Sequence, residues 1–184
     1  MPCCLVGSEM CIRDRMIDFI KALMAKGVAY NIDGNIFFDT KEYSKYGKFV
    51  SIDDDNLSRE DNELGKKHPN DFALWKAWKD SDGEITWESD WGNGRPAWHT
   101  ECAVLGTQLL GDSIDIHCGG IDLKFPHHEN ESAQVEALLG NKFANYWLHS
   151  EHLIFDSEKM SKSLGNTLSL SLIHISEPTR QQGI

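Results

Sequence analysis

HCGGIDLKFPHHENE, residues 117–131, packs a glycine pair, three histidines and several acidic side chains into one short stretch. It reads as the turn of an α/β unit. Ahead of it, residues 113–118 form a short strand with Ile114 and Ile116 on one face, and Gly119 with Gly120 lets the chain turn tightly above that strand. Behind it, 127–139 reads as a helix stopped by Gly140, and 146–155 as a further strand or a strand and turn. With a helix over 97–110 in front, ending on Gly111, the order helix, strand, helix, strand marks an α/β domain with a parallel sheet. Such domains bind ligands beyond the carboxyl ends of their strands. His117, Cys118 and Gly119 fall there.

If Pro126 takes the first helical position, His127 and Glu131 lie four residues apart on one face. Cys102 sits on the preceding helix with Trp98, Leu105 and Leu109 at helical spacing. A thiolate, an imidazole and a carboxylate form a set that zinc accepts at tetrahedral geometry. The plainer reading is a solvated His–Glu pair, because ligand spacing is a hypothesis until its structural context is seen.

Upstream, Ile17, Ile20, Leu23 and Met24 repeat at helical spacing over 16–26, and Gly27 closes that helix. Two β-prone runs in 28–40 flank Asp33-Gly34, a hairpin signal. Residues 51–69 are polar and turn-rich; the acidic run 53–55 lacks the ligand and glycine spacing of a calcium loop and reads as solvated surface. Phe72, Leu74, Trp75 and Trp78 read as core, as does the next tryptophan cluster. Because Gly92, Gly94 and Pro96 break the chain before the next helix, Trp91 and Trp98 are alternatively the rim of a pocket.

The formal charge of -11 lies wholly between residues 16 and 170, without a basic patch. Phosphate binding depends on Lys and Arg, so RNA contact here is local or made by a part of the protein outside this sequence. The ends, 1–15 and 169–184, have no amphipathic period joining them to their neighbours and resemble translated sequencing-adapter sequence. Alternatively Leu5, Val6 and Met10 belong to a strand, whereas an export signal lacks its apolar run and basic leader. Setting the ends aside removes Cys3, Cys4 and Cys11 and leaves Cys102 and Cys118, too few for a disulfide framework and suited to a reducing cytoplasm. No apolar run reaches the roughly eighteen residues of a membrane span.

Residues 157–166, SEKMSKSLGN, carry Lys159 and Lys162 on a loop able to place ammonium groups on a polyphosphate, although exposed lysines are also the ordinary covering of a surface. With 96-PAWHTEC-102, 115-DIHCGGIDLKFPHHENESAQ-134 and 159-KMSKS-163 in this order, the chain resembles the cysteinyl-tRNA synthetases, class I aminoacyl-tRNA synthetases, over about residues 16–168. The resemblance implies an α/β, Rossmann-like catalytic domain, incomplete here. Residues 96–168 would form its second half with the KMSKS loop, and 16–95 an α+β connective insertion. It also implies one zinc per subunit on Cys102, His127 and Glu131, with a fourth ligand, a cysteine, outside this sequence. ATP with Mg2+, L-cysteine and tRNA(Cys) would be the partners of a monomeric, cytoplasmic enzyme with no membrane contact. The sequence departs from the family pattern at Ala97 and Cys118, where glycine is usual.

By the same resemblance, Lys162 and Lys159 stabilise charge developing on the phosphates, and Gly119, Gly120 and His117 approach the nucleotide. Trp98 walls the amino-acid pocket and Asp122 contacts the amino group. For His117 and Asp122 a structural hydrogen bond is the competing role. The chain alone is expected to charge no tRNA. The competing activities are an ATP-dependent cysteine:amino-sugar ligase, a zinc hydrolase with Glu129 as base, and a zinc-stabilised binding module. An exposed apolar face is expected where further strands would pack.

Overall fold

The computed structural model describes residues 8–49, 65–84, 86–155, 157–161 and 163–167. Its contacts divide the chain into two units, Met1–His149 and Ser150–Ile184.

In the first unit, helix α1 (Ser8–Ala25) runs to the turn at Gly27, whose φ of 77° suits a residue without Cβ. Residues 16–25 are its end, as the spacing indicates, and 8–15, which show no joining period in the sequence, belong to it too; Arg15 Nη1 donates to Gln108 Oε1 at 2.9 Å. Strands β1 (Ala29–Ile32) and β2 (Asn35–Phe38) pair antiparallel about Asp33 and Gly34, at φ 49° and 82°. Two positive φ angles in succession give the turn whose twist matches the flanking strands. β3 (Phe72–Ala77) and β4 (Gly94–Pro96) complete an antiparallel sheet in the order β1-β2-β3-β4. Trp75 is fully buried, and Gly94 lets β4 cross it, because a Cβ there would collide with Trp75 Nε1 and the Lys76 carbonyl. The 92–96 break read from the sequence therefore contains a strand.

Ile20 and Leu23 of α1 pack with Ile36, Phe38, Phe72, Leu74 and Trp75 of the sheet and with Ala133 of helix α3 (Glu129–Leu139). Helix α2 (Trp98–Leu110), β5 (Ile114–Gly120), α3 and β6 (Ala144–Ser150) follow in the expected order, and β5 pairs with β6. Ala103, Ile114, Val135, Phe143 and Ala144 form their core. Ile114 and Ile116 do not share a burial: the first is 6% exposed against Phe143 and Ala144, the second 57% exposed. Tyr146 and Leu148 of β6 are exposed as well.

Between β5 and α3 the chain makes a 3-10 turn, Ile121–Leu123, and a wider turn, Lys124–His128, in which Phe125 is extended (φ -142°, ψ 135°). Phe125 is the residue that departs from helical dihedrals, so the helical run opens at Pro126, as the sequence reading supposed, with a wider first turn leading into α3. α3 itself starts at Glu129, and His127 with His128 occupies the turn before it.

In the second unit β7 (Ile154–Phe155) and β8 (Glu158–Lys159) form a short hairpin with Ser157 at φ 68°. Asn166 ties the following loop to it, accepting from Ser161 N at 2.8 Å and donating to the Lys159 carbonyl at 3.2 Å. Lys159 Nζ stands 3.1 Å from His152 Nε2. Lys162 and the acidic run 53–55 lie outside the described residues. No helix among the described residues is long and apolar enough to cross a membrane.

Candidate metal centre

Glu131, on the first turn of α3, is 1% exposed and stands between two histidines. Its Oε1 lies 2.8 Å from His127 Nε2 and its Oε2 3.2 Å from His117 Nε2. The second contact is out of line for a hydrogen bond, and Oε2 is a buried acceptor without one. Cys102, on α2, joins them: one ligand atom each from Cys102, His127 and Glu131 lies within 4.8 Å of the others. Burial, then the charges of Glu131 and Glu101, push the Cys102 thiol up to about 11. The sulfur thus keeps its proton at neutral pH until a cation replaces it. A buried carboxylate, a thiol and an imidazole at this separation fit zinc by their chemistry.

A wall of rings stands behind this set. His128, 2% exposed, has Nδ1 2.8 Å from His149 Nε2. Burial first, then His117, His149 and His127, lower its pKa to about 4, so the ring is neutral at physiological pH. His117 is caged by His128, Trp147 and Phe143, with centroids at 4.7, 4.6 and 5.6 Å. A Cβ on Gly119 would lie 2.5 Å from His128 Cε1, so the absence of a side chain there is what admits the ring. Trp98 is 62% exposed with its ring 4.3 Å from that of His127.

The structure thus gathers Trp98, Cys102, His117, Gly119, His127 and Glu131. Asp122 is exposed in the 3-10 turn, its Oδ1 where a Cβ on Gly120 would have to go. Lys159 belongs to the second unit.

The sequence reading missed how residues 43–49 grip α3. Glu129 is 0% exposed and its carboxylate accepts three backbone N–H groups, from Gly47 and Lys48 on Oε1 (2.9 and 3.2 Å) and from Phe49 on Oε2 (2.8 Å). Tyr46 Oη donates to Asn130 Oδ1 at 2.6 Å, and Tyr43 Oη to Glu136 Oε2 at 3.0 Å. Phe49 then lies edge-on to Trp147, centroids 4.8 Å apart. A carboxylate so engaged is no free base, which removes the group that a zinc hydrolase reading needs. Nothing in the local pattern of 43–49 points to a helix 80 or more residues away. A second acidic grouping, Asp39, His68 and Asp71, is a hydrogen-bonded corner: Asp71 accepts from Tyr30 Oη, Thr40 N, Thr40 Oγ1 and His68 N.

Residues 8–179 match the family model described as tRNA synthetases class I (C) catalytic domain. A protein of Anoxybacillus flavithermus named cysteine–tRNA ligase is 53% identical over 164 residues, 88% of this chain and 34% of that protein. One of the same name from Finegoldia magna is 54% identical over 156 residues (83% and 34%), and one from Chlamydia pneumoniae 52% over 167 (87% and 35%). The chain spans about a third of the length of these curated relatives.

Proposed function

Since the chain belongs to the class I (C) tRNA synthetase catalytic-domain family, we propose that it is part of an enzyme that joins cysteine to tRNA(Cys) with ATP. The observation that carries this reading is the convergence of Cys102, His127 and Glu131. In this reading residues 96–168 are the second half of a Rossmann-like nucleotide domain with a parallel sheet, 16–95 a connective insertion, and 1–15 and 169–184 flank both. The longer protein is a cytoplasmic monomer. The 184 residues alone charge no tRNA.

The carboxylate of free cysteine attacks the α-phosphate of ATP, releasing pyrophosphate and leaving cysteinyl-adenylate. A terminal ribose hydroxyl of the tRNA then takes the cysteinyl group and AMP leaves. Lys159 and Lys162 offset the charge that grows on the phosphates, with Mg2+ sharing that work. The backbone at Gly119 and Gly120 faces the nucleotide, Asp122 the amino group, and Trp98 walls the pocket over His127. Cysteine and serine differ by one atom, too little for shape alone to separate. Zinc held by Cys102, His127, Glu131 and a ligand outside the described residues would supply the missing discrimination, because a soft thiolate binds it far better than a hydroxyl. The same reading gives His117 a nucleotide contact; its Nε2 also stands 3.2 Å from Glu131 Oε2.

A full-length protein in which residues 16–168 replace the matching segment of the Finegoldia magna relative tests the reading. It is expected to exchange pyrophosphate into ATP with cysteine and not with serine. Loss of exchange in a folded chimaera whose parent is active would overturn the proposal.

A further inference from the structure

We propose that His117 is a positioning residue for the metal centre, holding Oε2 of Glu131 so that Oε1 alone is offered to the ion beside His127. The inference rests on the zinc reading given above.

Glu131 has two oxygens in different surroundings. Oε1 faces His127 Nε2 at 2.8 Å, and His127 has a ligand nitrogen within 4.8 Å of the Cys102 sulfur. Oε2 is buried, has no hydrogen bond, and has His117 Nε2 3.2 Å away. A buried carboxylate oxygen without a donor is costly, and a small turn of the His117 ring supplies the donor. That ring has little other freedom: His128, Trp147 and Phe143 enclose it. Its backbone is fixed in β5, so the ring is delivered to Glu131 by the sheet while the carboxylate is delivered by α3. A metal-bound carboxylate whose other oxygen is hydrogen-bonded stays monodentate, as four-coordinate zinc requires.

His117, His128 and Glu131 also have ligand atoms within 4.8 Å of one another. The Nδ1 of His128 is engaged by His149, and the sulfur lies in the other group, with Cys102. The observations therefore favour one ion on the Cys102 side, with His117 as its outer support.

The test is a Co2+ titration of the purified 184-residue chain, read by absorption, with His117→Ala and His117→Asn compared. The parent is expected to take one Co2+ with a sulfur-to-metal band and the strong d–d absorption of four-coordination. His117→Ala should keep the sulfur band, lose about 10–100-fold in affinity, and show the weaker d–d absorption of a five-coordinate ion. His117→Asn, which restores a donor, should recover much of both. If the parent takes up no Co2+ with a sulfur band, the zinc reading itself fails. If the parent binds and a folded His117→Ala, checked by circular dichroism, matches it within twofold in affinity and in spectrum, the positioning role is wrong. It is equally wrong if the parent binds two ions and His117→Ala removes one, since His117 would then be a ligand.

Discussion

Replacing Cys102 by Ser exchanges a soft donor for a hard one at a position held by α2. Cys102→Ser should abolish the sulfur-to-cobalt band and weaken binding by more than the roughly 10–100-fold typical of losing an outer-shell partner; absorption titration measures both. Gly119→Ala addresses the ring wall. The added methyl would meet His128 Cε1 at 2.5 Å, and moving that ring disturbs its contact with His149. Overpacking of this kind destabilises by about 1–3 kcal/mol, which urea unfolding would show. At this scale the sequence was informative where chemistry is spaced along one helix: His127 and Glu131 could be paired by position, and Cys102 by its residue type. It was silent on His117 as Glu131's neighbour, because that ring comes from the separate strand β5, and on Glu129's three donors, because they come from a loop 80 or more residues away. A Gly-Gly pair also has two explanations that spacing cannot separate, a nucleotide approaching the backbone or a ring packed against it, and the two are compatible: at Gly119 the His128 ring stands where a Cβ would go.

At the level of the element, α3 departs from the pattern of a surface helix. Glu129, Asn130, Glu131, Ser132 and Gln134 are polar yet buried, so an amphipathic reading puts the wrong residues in water. Glu129→Gln keeps the shape but removes the charge that three backbone N–H groups share; the expected loss is about 1.5–3 kcal/mol, measured by urea unfolding. Glu136 gives the same helix an acid dependence. Burial pushes its pKa up, but the hydrogen bond and charge of Lys48, with donors from Ser132 and Tyr43, outweigh this and hold it below its ordinary 4.5. The unfolded chain then binds more protons as pH falls below that value, so the contribution is complete above it and is lost as pH drops through the folded value. Glu136→Gln should therefore show a shallower loss of stability with acidification below pH 4.5 than the parent. The hairpin at Asp33-Gly34 was legible because the turn chemistry is local. The start of the helical run at Pro126 was legible for the same reason, since proline suits a first helical turn and the extended Phe125 precedes it; the wider winding of that first turn was not.

For the first unit as a whole, two clusters of core residues meet along α3, while Ile116, Tyr146 and Leu148 leave the β5–β6 sheet with apolar side chains in water. The chain should bind an apolar dye such as ANS, and Ile116→Thr with Leu148→Thr should reduce the fluorescence without lowering thermal stability. The helix and strand order of 97–155 could be read from periodicity. The antiparallel four-stranded sheet could be read only in its hairpin, because β4 is short and carries the Gly and Pro that signal a break. The grip of Glu129 on residues 47–49 has one more consequence, in the time domain. Those three amides belong to no strand or helix, yet their hydrogens end on a buried carboxylate. They should exchange with solvent deuterium as slowly as the strand amides of β2 and β3, and all three together, because the event that frees one, the parting of this loop from α3, frees the others.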